Sequence, residues 1–146
     1  MIKMTFTVRP DQGEPSDFDL GDILCEGESG AAGSAGHVPD QGMMIYLSVP
    51  LLLDSLRPLL AGESKTASFV GTDSSFRLDF RRDRKGVVSV SANGTVLGKC
   101  GTDELVDAVL APAVELEREL LSHLPAGGGA GRDLASSLER FRAAST

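Results

Sequence analysis

Tryptophan is absent from this chain, tyrosine occurs once, and histidine and cysteine occur twice each. Two cysteines, Cys25 and Cys100, are too few to staple 146 residues, and neither belongs to a C-x-x-C pair or stands beside a histidine at ligand spacing. They read as idle or buried thiols in a reducing compartment. His37 and His123 lie most of the chain apart without companion ligands, so no zinc site, and no other metal or cofactor, is expected. Long apolar runs are missing too. The longest, Val49 to Leu53 followed by Leu56, Leu59 and Leu60, is broken by Asp54, Arg57 and Pro58 and is too short to cross a bilayer. Met1 to Phe6 has only a brief apolar stretch and no small-residue cleavage site. These absences predict a cytoplasmic protein with no membrane partner. Cationic excess is also lacking: 14 Lys and Arg face 21 Asp and Glu, a net charge of −7. That balance argues against nucleic acid as a partner, because phosphate binding needs a dense cationic surface.

What is present suits one ordinary core, since 41% hydrophobic residues over this length close a single domain. Met4, Phe6 and Val8 alternate with Thr5 and Thr7, the period of a half-buried strand that ends at Pro10. Phe18, Leu20, Ile23 and Leu24 predict a second strand over residues 18–25. Gly27 to Gly42 is rich in Gly, Ala and Ser without apolar periodicity and predicts a mobile loop. Met43, Ile45, Leu47 and Val49 alternate with Met44, Tyr46 and Ser48, which predicts a buried strand. Pro50 then suits the first turn of a helix carrying Leu52, Leu56, Leu59 and Leu60, with Pro58 kinking or shortening it and Gly62 ending it.

Three turn signals separate the next four runs. Thr66 to Val70 ends in Gly71-Thr72-Asp73-Ser74; Phe76 to Arg82 points Phe76, Leu78 and Phe80 inward against Arg77, Asp79 and Arg81 outward. Asp83-Arg84-Lys85-Gly86 leads into Val87 to Ala92, and Asn93-Gly94, the preferred type I′ pair, leads into Thr95 to Lys99. Strands joined so briefly pair with their neighbours, giving an antiparallel meander. Thr102 or Asp103 can cap a final major helix whose Leu105, Val109, Leu116 and Leu120 face the sheet, with Pro112 kinking or dividing it. The predicted fold class is therefore α+β: an antiparallel meander with one or two helices on one face, in a single domain over residues 1–125. Residues 126–146 read as a flexible Gly-rich tether and a short amphipathic helix bearing Leu134, Leu138 and Phe141.

Charge is unevenly spread. Residues 65–100 carry seven basic and three acidic side chains, against three and ten before them and four and eight after. The dense cluster is Arg77, Arg81, Arg82, Arg84 and Lys85, a patch suited to the carboxylates of an acidic protein partner, or else ordinary solubilising charge on an outer face. That face carries no aromatic residue on which RNA bases could stack. Ala32-Gly33-Ser34-Ala35-Gly36 before His37 lacks the strand and helix that hold a nucleophile elbow. Asp17, Asp19 and Asp22 lack the further ligands of a calcium loop and read as solvated turn carboxylates.

Ile45-Tyr46-Leu47-Ser48-Val49, the helix with Leu52, Leu56, Leu59 and Leu60, the strand Phe76-Arg77-Leu78-Asp79-Phe80, and Thr102-Asp103-Glu104-Leu105 follow one another in an order that resembles the small WapI-like group of bacterial immunity-type proteins and neighbouring bacterial families. The resemblance covers a little over half the chain. It implies toxin neutralisation or a similar regulatory role. The residues favour a non-catalytic macromolecule-binding protein that presents a basic sheet face. Two alternatives remain: an enzyme or small-ligand binder with a pocket under the Gly27–Gly42 loop, using Asp17, Asp19 or His37; and a homodimer joined by an open strand edge or the carboxy-terminal helix.

Overall fold

The computed structural model describes residues 1–125 and 127–145. Its elements run β1 (Ile2–Val8), β2 (Leu20–Gly27), β3 (Gly30–Gly33), β4 (Met43–Met44), α1 (Ile45–Leu60), β5 (Thr66–Val70), β6 (Arg77–Arg82), β7 (Val87–Ala92), β8 (Thr95–Gly101), α2 (Thr102–His123) and α3 (Gly129–Ala144). The class is α+β, but the strands divide into two four-stranded antiparallel sheets rather than one: β1-β2-β3 with β4 also on β2, and β5-β6-β7-β8.

The second sheet is the meander that its turn chemistry dictates. Asn93 and Gly94 both adopt positive φ, 50° and 79°, as a type I′ hairpin requires. Asp83 Oδ1 accepts the N–H groups of Lys85 at 2.8 Å and Val87 at 3.0 Å, which closes the β6–β7 turn. Phe69, Phe76, Leu78, Phe80, Val88 and Val90 are buried on the inner side, while Arg77 and Arg81 are exposed on the other. The first sheet turns Ile2, Met4, Phe6, Ile23 and Cys25 into the same core. The two sheets abut where Gly27 meets Leu97 and Gly98; a Cβ on Gly27 would collide with the Leu97 carbonyl, so only glycine permits this approach. Ser29 N–H and the amino terminus donate to the carbonyls of Leu97 and Lys99, covering much of the outer edge of β8.

Several expectations are corrected. Ile45 to Val49 is helical, not extended: only Met43 and Met44 form a strand, and α1 begins five residues before Pro50. Its buried Ile45, Val49, Leu52, Leu56 and Leu59 follow the helical period, and its start is fixed by distant groups. Ile45 N–H donates to the Asp19 carbonyl, Met44 N–H to the Thr72 carbonyl, and Thr72 N–H to the buried Ser48 Oγ. The element order on which the WapI-like resemblance rests is thus altered at its first member. Helix α2 runs unbroken through Pro112, and its N-terminal boundary is Gly101 without a side-chain cap, although Asp103 and Glu104 do sit in the first turn.

The Gly27–Gly42 segment is also more ordered than its composition suggests. It contains β3 and the fully buried Ser34, and Asp40 ties its far end to Arg9. The tail is the largest revision. Leu134, Leu138 and Phe141 are buried in the common core, with α3 packed on α1 and α2. Ala130 N–H donates to Asp17 Oδ2 at 3.4 Å, so a carboxylate from the far end of the chain sits at the positive end of α3. Ala126, part of the expected tether, lies outside the described residues.

Candidate functional site

Strand register decides which of the five predicted cations act together. On the outer face of the second sheet Thr66, Arg81, Ser89 and Lys99 stand side by side, one from each strand. Arg81 and Lys99 are exposed, and Ser89 between them is too short to shield either. Arg84 and Lys85 extend the charge over the adjoining turn, where both are exposed. Asp83 lies among these cations; the Val87 N–H bond, helped by Lys85 and Lys99, holds its carboxyl below the usual range. Four cations to one carboxylate make a local positive field on a chain whose total charge is −7.

The other two predicted residues have different work. Arg82 alternates to the inner side, where Nη1 donates to the carbonyls of Leu59 at 2.8 Å and Leu60 at 3.3 Å. It bonds the Leu60 carbonyl and shares the Leu59 carbonyl with Gly62 N–H at the C-terminus of α1, where its charge favours the negative end of that helix. Arg77 is exposed but forked onto Asp79, with Nε and Nη2 about 3 Å from its oxygens and Nη2 also 3.2 Å from Ser68 Oγ. That bond is the main reason the Asp79 carboxyl is held low. The patch therefore consists of Arg81, Arg84, Lys85 and Lys99. Lys99 was not singled out from sequence because its neighbourhood comes from sheet register across the β7–β8 hairpin.

A groove of about 750 Å³ opens at the other end of this sheet, between β3 and the β7–β8 turn. Leu24, Phe76 and Leu97 provide apolar surface, with Thr5, Asn93 and Arg77 among its polar lining. The Gly27–Gly42 segment does border it, through Gly30 to Gly33 and His37. Asp17 and Asp19 do not line it. Asp17 faces α3, and Asp19 Oδ2 accepts Ser16 N–H at 3.2 Å.

Beside the groove, Arg9 clamps two carboxylates at once. Its Nε and Nη2 reach Asp22 at 2.9 and 3.0 Å, and its Nη1 and Nη2 reach Asp40 at 2.7 and 2.9 Å. The shared guanidinium is the first cause that depresses both carboxyls; Ser34 Oγ, donating to Asp22 at 2.7 Å, adds to one, and Gly42 N–H to the other. Ser34 is consequently a buried structural hydroxyl, also accepting Ile23 N–H at 3.1 Å, while the His37 Nε2–H donates to the Gly33 carbonyl at 2.7 Å. Neither group is arranged as nucleophile or base. Among the described residues no cluster of His, Cys, Asp and Glu could hold a metal ion, and no helix is long and apolar enough to cross a membrane. Compared with protein families, curated proteins and solved structures, the chain matches none.

Proposed function

We propose that the protein is a non-catalytic binding module that offers the outer face of its second sheet to an acidic protein partner. The observation that carries this reading is the cationic row and turn, Arg81, Lys99, Arg84 and Lys85, exposed on the side of the sheet opposite the core. Such a field steers an anionic surface and rejects cationic ones, while the acidic remainder of the molecule leaves this face as the favoured approach. The WapI-like resemblance, in its helix and meander features, makes toxin neutralisation or a related regulatory role the setting for this binding.

The test replaces Arg81, Arg84 and Lys85 together with Ser and leaves Arg82 untouched, because Arg82 holds α1. With polyglutamate as the probe, the wild-type protein binds at low salt and the triple variant loses about tenfold or more in affinity, at roughly 1 kcal/mol or less per exposed charge. The melting temperature changes by no more than about 2 °C, as for exposed sites. Undiminished polyglutamate affinity in the variant would remove the proposal.

A further inference from the structure

We infer that the free edge of β5 pairs with the same edge of a second copy of this chain, joining their two meanders across a two-fold axis into one continuous antiparallel sheet. β5 lies at one end of the order β5-β6-β7-β8 and pairs with β6 alone. Arg82 N–H donates to the Lys65 carbonyl at 2.8 Å and Gly71 N–H to the Phe76 carbonyl at 3.0 Å. Backbone groups alternate along an antiparallel strand, so those of Ala67 and Phe69 also turn to β6, and those of Thr66, Ser68 and Val70 turn outward. Ser64 Oγ takes both groups of Thr66, accepting its N–H at 3.3 Å and donating to its carbonyl at 2.7 Å. The N–H and C=O of Ser68 and of Val70 have no partner among the described residues.

Unpaired backbone groups along an edge are a template for another strand, and edges are ordinarily blunted by charge, proline or a bulge. Thr66-Ala67-Ser68-Phe69-Val70 has no charged residue and no proline, and its register with β6 is unbroken. The opposite edge, along β8, is by contrast covered by Ser29 and the amino terminus. Val70 is 45% exposed. Leu51, 48% exposed, stands three residues from Ser48 on α1, and Ser48 Oγ accepts the N–H of Thr72 just past β5, so Leu51 borders the same edge. A second copy fits because the strand is its own complement. With Phe69 on the two-fold axis, Ser68 faces Val70 of the second copy and Val70 faces its Ser68, and these pairs exchange N–H···O bonds that use every open group. An axis on Ser68 or on Val70 would leave half of them idle, since the residue then opposed is Thr66 or Thr72, whose backbone groups are already bonded. Rows on the outer face then read Arg77, Val70, Ser68, Asp79 across the seam, so cation leads towards carboxylate from either side and no like charges are opposed.

Equilibrium sedimentation of the whole chain is expected to show a dimer with a dissociation constant between about 10 µM and 1 mM, the weak range of a small interface. Two chains of charge −7 repel, so the dimer holds or tightens as salt rises from about 0.05 to 0.5 M, opposite to the binding of polyglutamate by the basic face. Val70→Lys sets a cation beside Arg77 at the seam. It is expected to weaken the dimer about tenfold or more while the melting temperature of the dilute protein moves by no more than about 2 °C, as for an exposed site. Register is read by cross-linking. Ser68→Cys chains mixed with Val70→Cys chains are expected to form disulfide-linked dimers at least about fivefold faster than either alone, because opposed Cα atoms lie about 5.5 Å apart and diagonal ones about 7–8 Å, beyond the reach of the bridge. Cys25 and Cys100 are buried and stay out of this reaction. The inference is overturned if the chain stays monomeric throughout that range, if the dimer weakens with salt, which would mark a basic patch docked on an acidic flank, or if Val70→Lys dimerises normally. A monomer whose Ser68 and Val70 amides shift with an added uncharged strand peptide would also overturn it, and would assign the edge to a different protein. A salt-resistant dimer that fails to bind polyglutamate would sink the basic face and leave the seam standing.

Discussion

Phe141→Ala removes the only aromatic side chain of α3 from a site where it is 0% exposed within the common core. The loss combines transfer of the ring to water with the cavity left between α3 and its neighbours, typically about 3–5 kcal/mol for a buried phenylalanine. Against a total stability of about 5–15 kcal/mol this is a large fraction, and at about 2–4 °C per kcal/mol the midpoint falls by roughly 10 °C. Urea unfolding followed by far-ultraviolet dichroism measures it, with the slope unchanged because the same surface is exposed on unfolding. Arg142→Ala, at an exposed position one residue on, serves as the control and stays within about 0.5 kcal/mol. A loss below about 1 kcal/mol for Phe141→Ala would mean that α3 is a tethered appendage, and the single core described above would be wrong.

Three other outcomes are expected. Arg82→Ala removes bonds to the end of α1 and costs about 1–2 kcal/mol, whereas Arg84→Ala is near neutral; equal effects in denaturant titrations would contradict the division between helix-holding and exposed arginines. Asp22 and Asp40 have depressed carboxyls in the folded protein, so their contribution is complete above the unfolded value of about 3.9 and is lost as pH falls through the lower folded values. Hydrogen exchange across residues 34–42 is therefore faster, relative to its intrinsic rate, at pH 3 than at pH 6, and protection that stays constant would refute the Arg9 clamp. Burial pushes the Cys25 thiol up to about 12 and the Cys100 thiol to about 11, so in the native protein both react with a disulfide reagent orders of magnitude more slowly than in urea. Rapid native labelling would show that the junction of the two sheets opens readily.

The meander was legible because its information is local. Asn93-Gly94 and the Asp83 turn fix hairpins within a few residues, and alternation around Leu78 and Phe80 fixes the buried side. Ile45 to Val49 misled for the same reason. Period-two alternation is present there, but the helix is selected by bonds from Asp19, Thr72 and Ser48 and by burial of Ile45, Val49 and Leu52, all tertiary. Pro50 and Pro58 are tolerated inside α1 for that reason, despite each lacking an N–H. In the tail, Gly129-Ala130-Gly131 resembled a linker, yet Ala130 and Gly131 are buried and small where α3 begins beside Asp17. The basic patch was half legible. Arg81, Arg84 and Lys85 followed from alternation and turn position; the diversion of Arg82 to α1 and the recruitment of Lys99 depend on which elements meet.

The most direct measurement of the central claim is an amide-shift map of the labelled wild-type protein titrated with polyglutamate at low and high salt. The basic face predicts shifts at Arg81, Arg84, Lys85, Ser89 and Lys99 that fade as ionic strength approaches about 0.5 M, where screening shortens to a few ångströms. Shifts centred on α1, α2 or α3, or none at low salt, would contradict it.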